Sequence, residues 1–125
     1  MAYNFRNLVF EGGGVKGIAY GGALMRLDEM GLLYSVDRVA GTSAGAITAC
    51  LMSLGYSSKE ISKIVAETDF SKFEDNTFLF IRDIFRLINY YGWNKGDVFE
   101  QWLYELIEKK TGNRHFTFAD LHKKV

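Results

Sequence analysis

The chain has one cysteine, Cys50, among 125 residues, which excludes an internal disulfide framework. Its His, Cys, Asp and Glu residues show no metal-ligand spacing, so no metal is expected. Net charge is absent too: 15 Lys and Arg balance 15 Asp and Glu. No global field draws the molecule to nucleic acid or acidic lipid, and no nucleic-acid partner is expected. The basic residues Lys109, Lys110, Arg114, Lys123 and Lys124 read as a solvated face. No apolar run reaches membrane-spanning length, and Met1 to Arg6 lacks a signal-peptide core. The expectation is a soluble, cytoplasmic chain, with membrane contact peripheral at most. What is present is enough for a real core, 48% apolar and 15% aromatic residues, in one small domain or part of one.

Asn7-Leu8-Val9-Phe10 is short and apolar and suits a buried parallel strand. The glycine-rich Gly12-Gly13-Gly14-Val15-Lys16-Gly17 follows. Ile18 to Met30 predicts a helix with Gly31 at its C-terminal end. Gly21 and Gly22 weaken that helix, and their expected use is close packing on the sheet. Val36 to Ala40 predicts a second strand, so strand, helix and strand form one parallel βαβ unit. A helix then carries Ile47, Cys50, Leu51 and Leu54 at helical spacing and stops at Gly55, with Cys50 read as a buried, inert thiol. Ser57 with Glu60 predicts a capping box for a short helix with Ile61, Ile64 and Val65 inward. Thr68 to Thr77 reads as a loop, Phe78 to Tyr91 as a helix and Gly92 to Gly96 as a turn. Asp97 with Glu100 predicts the cap of a last helix bearing Phe99, Trp102, Leu103, Leu106 and Ile107. The aromatic density from Phe78 to Tyr104 fits helix packing on the sheet, or else an apolar cap near a site.

Chemistry concentrates in Val39-Ala40-Gly41-Thr42-Ser43-Ala44-Gly45-Ala46. An apolar run ends at Gly41, a serine stands between two glycines, and a helical pattern follows. This is the G-x-S-x-G pattern of a nucleophile elbow, a sharp turn that exposes a serine hydroxyl above the end of a sheet. The bland alternative is that Ser43 merely caps the next helix.

Gly12 to Gly17 fits several jobs. Gly12-x-Gly14-x-x-Gly17 matches a dinucleotide fingerprint, although Asp37 stands near the start of the second strand and not at its end. A P-loop is excluded because glycine follows Lys16. A plain packing turn is another reading. The job that explains both glycine motifs together is an oxyanion hole, in which amides unshielded by side chains converge on developing negative charge.

Gly12 to Gly17, followed about 25 residues further on by Gly41-Thr42-Ser43-Ala44-Gly45, resembles the start of a patatin-like phospholipase domain. The match in order and spacing spans roughly the first 60 residues, and Thr117-Phe118-Ala119-Asp120-Leu121 resembles the segment before that family's next core strand. The resemblance implies a three-layer α/β/α fold with a mainly parallel central sheet, incomplete in this chain. It also implies a serine–aspartate dyad acting on phospholipids or other lipid esters without cofactor or metal. Ser43 would be the nucleophile, and Gly12, Gly13 and Gly14 the oxyanion donors. Lys16 would occupy the basic position of the loop, unless it is an ordinary exposed lysine. The family's base is an aspartate before glycine, and none of Asp28, Asp37, Asp69, Asp75, Asp83, Asp97 and Asp120 precedes one. Residues 1–125 therefore read as the amino-terminal part of such a domain, truncated before the aspartate and inactive alone. His115 and His122, in a polar basic segment, read as surface histidines and not as members of a triad. The competing functions are a nucleotide-binding α/β module using Gly12 to Gly17 and an inactive scaffold of the same family. The unpartnered apolar surface of such a piece predicts self-association.

Overall fold

The structure, a computed structural model, describes residues 5–69 and 96–124. The expected helix from Phe78 to Tyr91, and most of the loop before it and the turn after it, lie outside the described residues. So do six of the aromatic residues between Phe78 and Trp93.

Two strands, β1 (Asn7–Phe10) and β2 (Arg38–Gly41), pair in parallel, with Asn7 opposite Arg38 and Phe10 opposite Gly41. The first strand has the expected bounds. The second starts later than expected because Val36 ends a short 3-10 turn, Leu33–Ser35, through its amide bond to Leu33. The amides of Asp37 and Arg38 then both donate to the Arg6 carbonyl, at 2.9 and 3.0 Å, and the Arg6 guanidinium grips the Asp37 carboxylate. The expectation of a strand buried on both sides is corrected. Phe10 is buried and Leu8 and Val39 are half-buried on one face, whereas Val9 on the other is 78% exposed beside exposed Ala40. The described residues form an incomplete α/β fold that covers one face of a parallel sheet.

Between the strands the chain winds through a 3-10 turn, Gly14–Ile18, into α1 (Ala19–Glu29). Gly31 closes α1 in the left-handed region at φ +68°, as glycine permits. The two glycines inside α1 differ. A β-carbon at Gly21 would lie 2.8 Å from the Cα of Ser62, so Gly21 seats α1 against α3 (Ser58–Glu67) and not against the sheet. Gly22 faces open space, and its expected packing role does not hold. The capping box forms as expected: Ser57 Oγ accepts from the Glu60 amide and the Ser57 amide donates to Glu60 at 2.7 Å. Ser58 ties α3 to the end of α1 by donating to Asp28 at 2.6 Å.

The central helix is α2 (Ala44–Ser53), which packs on both strands and ends before Gly55 at φ +89°. Its buried face is Gly45, Thr48, Ala49 and Leu51; Ile47 and Cys50 are half-buried. Burial pushes the Cys50 thiol upward in pKa, away from the reactive thiolate. Leu24, Leu51 and Ile61 are the most completely buried apolar side chains of a core that also holds Phe10, Leu54, Tyr56 and Val65. Removing each such side chain from water contributes roughly 1.5–3 kcal/mol.

A further helix, α4 (Asp97–Thr111), follows Gly96 at φ +76° and stops at Gly112 at φ +75°. Asp97 does not cap it. Gly96 holds that place, and Asp97 and Glu100 lie in the first turn, where carboxylates favour the positive end of the helix dipole. Two basic residues expected on a solvated face are anchors instead. Lys110 lies 4.7 Å over the Tyr56 ring and 3.0 Å from Glu60, while Tyr56 donates to the Leu106 carbonyl at 2.8 Å. Arg114 lies over the Tyr104 ring and donates to Gln101 at 2.6 Å. The last helix, α5 (Phe118–Lys124), opens with reciprocal bonds between Thr117 and Asp120, a start the apolar pattern does not announce.

Candidate active site

Because Phe10 stands opposite Gly41, both glycine motifs leave the sheet from adjacent strand tips, and the Thr42 amide donates to the Phe10 carbonyl at 3.1 Å. Ser43 then turns through φ +50° and ψ −126° and is the one non-glycine residue with positive φ among the described residues. That conformation costs about 1–3 kcal/mol and persists only where the surroundings impose it. The Ser43 carbonyl accepts the first bonds of α2, from Ala46 at 2.9 Å and Ile47 at 3.3 Å. Its side chain caps nothing. A capping serine adopts extended backbone and accepts an amide from the first turn, as Ser57 does. Ser43 does neither, and it is exposed.

The bend is enforced by close approach. A β-carbon at Gly41 would overlap the Gly45 carbonyl and lie 2.7 Å from the Ala46 amide nitrogen. One at Gly45 would overlap the Phe10 carbonyl and lie 2.7 Å from that of Glu11. The neighbours in each case are backbone and cannot swing aside.

The glycine loop rests on the same corner. A β-carbon at Gly12 would lie 3.1 Å from the β-carbon of Ser43 and 3.2 Å from Thr42 Oγ1. One at Gly17 would lie 2.8 Å from the β-carbon of Ala44. The turn closes where the Lys16 amide meets the Gly13 carbonyl at 3.1 Å, with Gly14 at φ +55°. The amides of Gly12 and Gly13 donate to no acceptor among the described residues. Gly12, Gly17, Gly41, Ser43 and Gly45 thus share one corner. Gly13, Gly14 and Lys16 lie on the exposed side of the loop. Val15, 69% exposed, and Ile18 flank Lys16 there. The sequence reading missed Tyr20, whose hydroxyl donates to the Glu11 carbonyl at 2.7 Å. Its position one turn beyond Gly17 was the only available signal.

Several acids have other work. Asp28 accepts from Ser58, Asp37 from Arg6 and Asp120 from Thr117. Asp37 also lies before β2, away from the strand tip where a ribose-binding acid would stand. The ring of His115 sits edge-on to Tyr104 at 5.7 Å, and His122 is exposed in the last turn of α5. Among the described residues no group of three or more His, Cys, Asp or Glu could hold a metal ion, and no helix is long and apolar enough to cross a membrane.

Comparison with known proteins extends the picture. A family model described as patatin-like phospholipase matches residues 8–124. The uncharacterized protein YqhO of Bacillus subtilis is 44% identical over 119 residues, which cover 92% of this chain and 39% of YqhO. The uncharacterized protein R571 of Acanthamoeba polyphaga mimivirus is 31% identical over 121 residues, 96% of this chain and 40% of its own length. An uncharacterized NTE family protein of Mycobacterium tuberculosis, Rv2565, is 44% identical over 48 residues, 38% of this chain and 8% of its own. The chain spans about two fifths of the length of the first two relatives. No solved structure matches.

Proposed function

The chain belongs to the patatin-like phospholipase family, and from that premise we propose that it carries the nucleophile and oxyanion hole of a serine acyl hydrolase acting on phospholipids or other lipid esters. Ser43 Oγ attacks the ester carbonyl carbon while an aspartate takes its proton. The resulting oxyanion is held by amides of Gly12, Gly13 and Gly14. Collapse breaks the bond to the alcohol, which leaves with the proton from the aspartic acid, and Ser43 keeps the acyl group as an ester. Water, deprotonated by the same aspartate, then releases the fatty acid and restores the serine. This chemistry calls on no metal or cofactor. The aspartate belongs to the rest of a longer parent protein, and residues 1–125 form the amino-terminal part of its domain. We place the enzyme in the cytoplasm, in peripheral contact with membrane lipid.

The observation that carries the reading is Ser43 at φ +50° with its hydroxyl engaged in no cap and Gly12 packed against it. Nothing in helix capping requires that conformation, whereas nucleophile presentation does.

A fluorophosphonate probe applied to the intact parent tests it. Labelling and ester hydrolysis are expected, with both lost in Ser43→Ala. The 125-residue chain alone should label far more slowly, since losing a serine hydrolase's base costs on the order of 10⁴–10⁶ in kcat. A parent that folds but neither labels nor hydrolyses esters would be an inactive scaffold. Stabilisation of that parent by a dinucleotide would favour the nucleotide-binding module.

A further inference from the structure

The hydroxyl of Tyr20 is a tether at the base of the glycine loop that the hydrolytic reading does not itself require. It donates to the Glu11 carbonyl at 2.7 Å. That carbonyl and the Gly12 amide belong to one trans peptide plane, in which C=O and N–H point in opposite directions. Fixing the oxygen therefore fixes where the amide hydrogen points. Gly12 has no side chain with which to hold its own plane, and its amide has no acceptor among the described residues. On its other side the Glu11 oxygen abuts Gly45, close enough that a β-carbon there would lie 2.7 Å away. The tether is rigid as well as short. Tyr20 stands in the first turn of α1, its ring meets Phe10 edge-on at 5.3 Å, and a β-carbon at Gly17 would lie 3.9 Å from its Cδ2.

We propose that Tyr20 is a positioning residue, whose hydroxyl locks the Glu11–Gly12 peptide so that the Gly12 amide stays presented to the oxyanion formed at Ser43. The proposal rests on the acyl-hydrolase reading. Tyr20 touches no substrate atom in this role. It acts through a backbone plane that a glycine loop would otherwise leave free to rotate, and it serves the transition state more than the bound ester.

Tyr20→Phe in the intact parent keeps the ring against Phe10 and removes only the donor. Losing a neutral hydrogen bond shifts a local equilibrium by about two- to tenfold. The expected result is therefore a kcat lower by about that factor, short of the 10²–10³ lost with an oxyanion donor itself. KM should be unchanged. Affinity for a trifluoromethyl ketone, whose hemiketal oxyanion uses the same amides, should fall in step with kcat. The fraction of sites titrated by fluorophosphonate should stay at the wild-type level. An unchanged kcat in Tyr20→Phe, beside an active wild type and a dead Ser43→Ala, overturns the positioning role alone. A fall in kcat matched by a fall in titrated sites reports misfolding and overturns it as well. A wild-type parent that neither turns over nor labels overturns the hydrolase reading, and this proposal with it.

Discussion

Replacing Ser43 by glycine removes a β-carbon from a backbone at φ +50° and ψ −126°, which glycine adopts without penalty. Relief of about 1–3 kcal/mol of strain is set against about 0.5–1 kcal/mol of added chain entropy in the unfolded state. Ser43→Gly should therefore unfold at higher denaturant concentration than wild type, by a net of up to about 2.5 kcal/mol, while Ser43→Ala, which keeps the β-carbon, should not. A midpoint for Ser43→Gly below that of Ser43→Ala would mean that the bend is unstrained. The existence of this bend was legible at the residue scale from the two glycine motifs together, because a serine between glycines alone also suits a helix cap. Its enforcement was not. The atoms that forbid a side chain at Gly45 are the carbonyls of Phe10 and Glu11, which reach it only once the strands pair. Tyr20 was hidden for the same reason, since a hydroxyl reaching back to the Glu11 carbonyl leaves no periodic trace.

Among the elements, α3 shows what local sequence can specify. Its capping box forms between residues three apart, and Ser57 and Glu60 were enough to find it. The Glu60 carboxyl is held down to about 2, chiefly by the Ser57 amide and then by Lys110. A carboxyl depressed from 4.5 to about 2 contributes its stability fully above the ordinary value and loses it as pH falls through the lower one. Stability of the wild type should therefore decline as pH drops from 5 towards 2, and Glu60→Gln should flatten that decline. Parallel pH profiles for the two proteins, measured by thermal unfolding, would contradict this assignment. Elements whose ends depend on distant partners were read less well. The start of β2 is set by the Arg6 carbonyl, and Asp97 lost its expected capping place to Gly96 at φ +76°. Periodicity named the helical glycines but could not say which neighbour Gly21 would meet.

For the molecule as a whole, the class was legible beforehand: one parallel βαβ unit with both glycine motifs at the strand tips. The sequence overstated how well the sheet is enclosed. A two-stranded sheet is marginal unless something packs on it, and here α2 supplies one side. No described residue covers the face of Val9 and Ala40, and Phe118 is 88% exposed at a groove of about 500 Å³ between β2, α2 and α5. The isolated 125-residue chain should accordingly associate with itself. Sedimentation velocity should show species larger than a monomer, growing with concentration. A single monomeric boundary throughout would show that this apolar surface tolerates water. The packing of the glycine corner also bears on any attempt to redesign the protein. Positions 17, 41 and 45 are closed to larger residues by neighbouring atoms and position 12 is tight, so a mutational library spread over the first three would return mostly misfolded clones. Val15, Lys16 and Ile18 are exposed on the same loop, and diversity confined to those three should leave the architecture beneath intact.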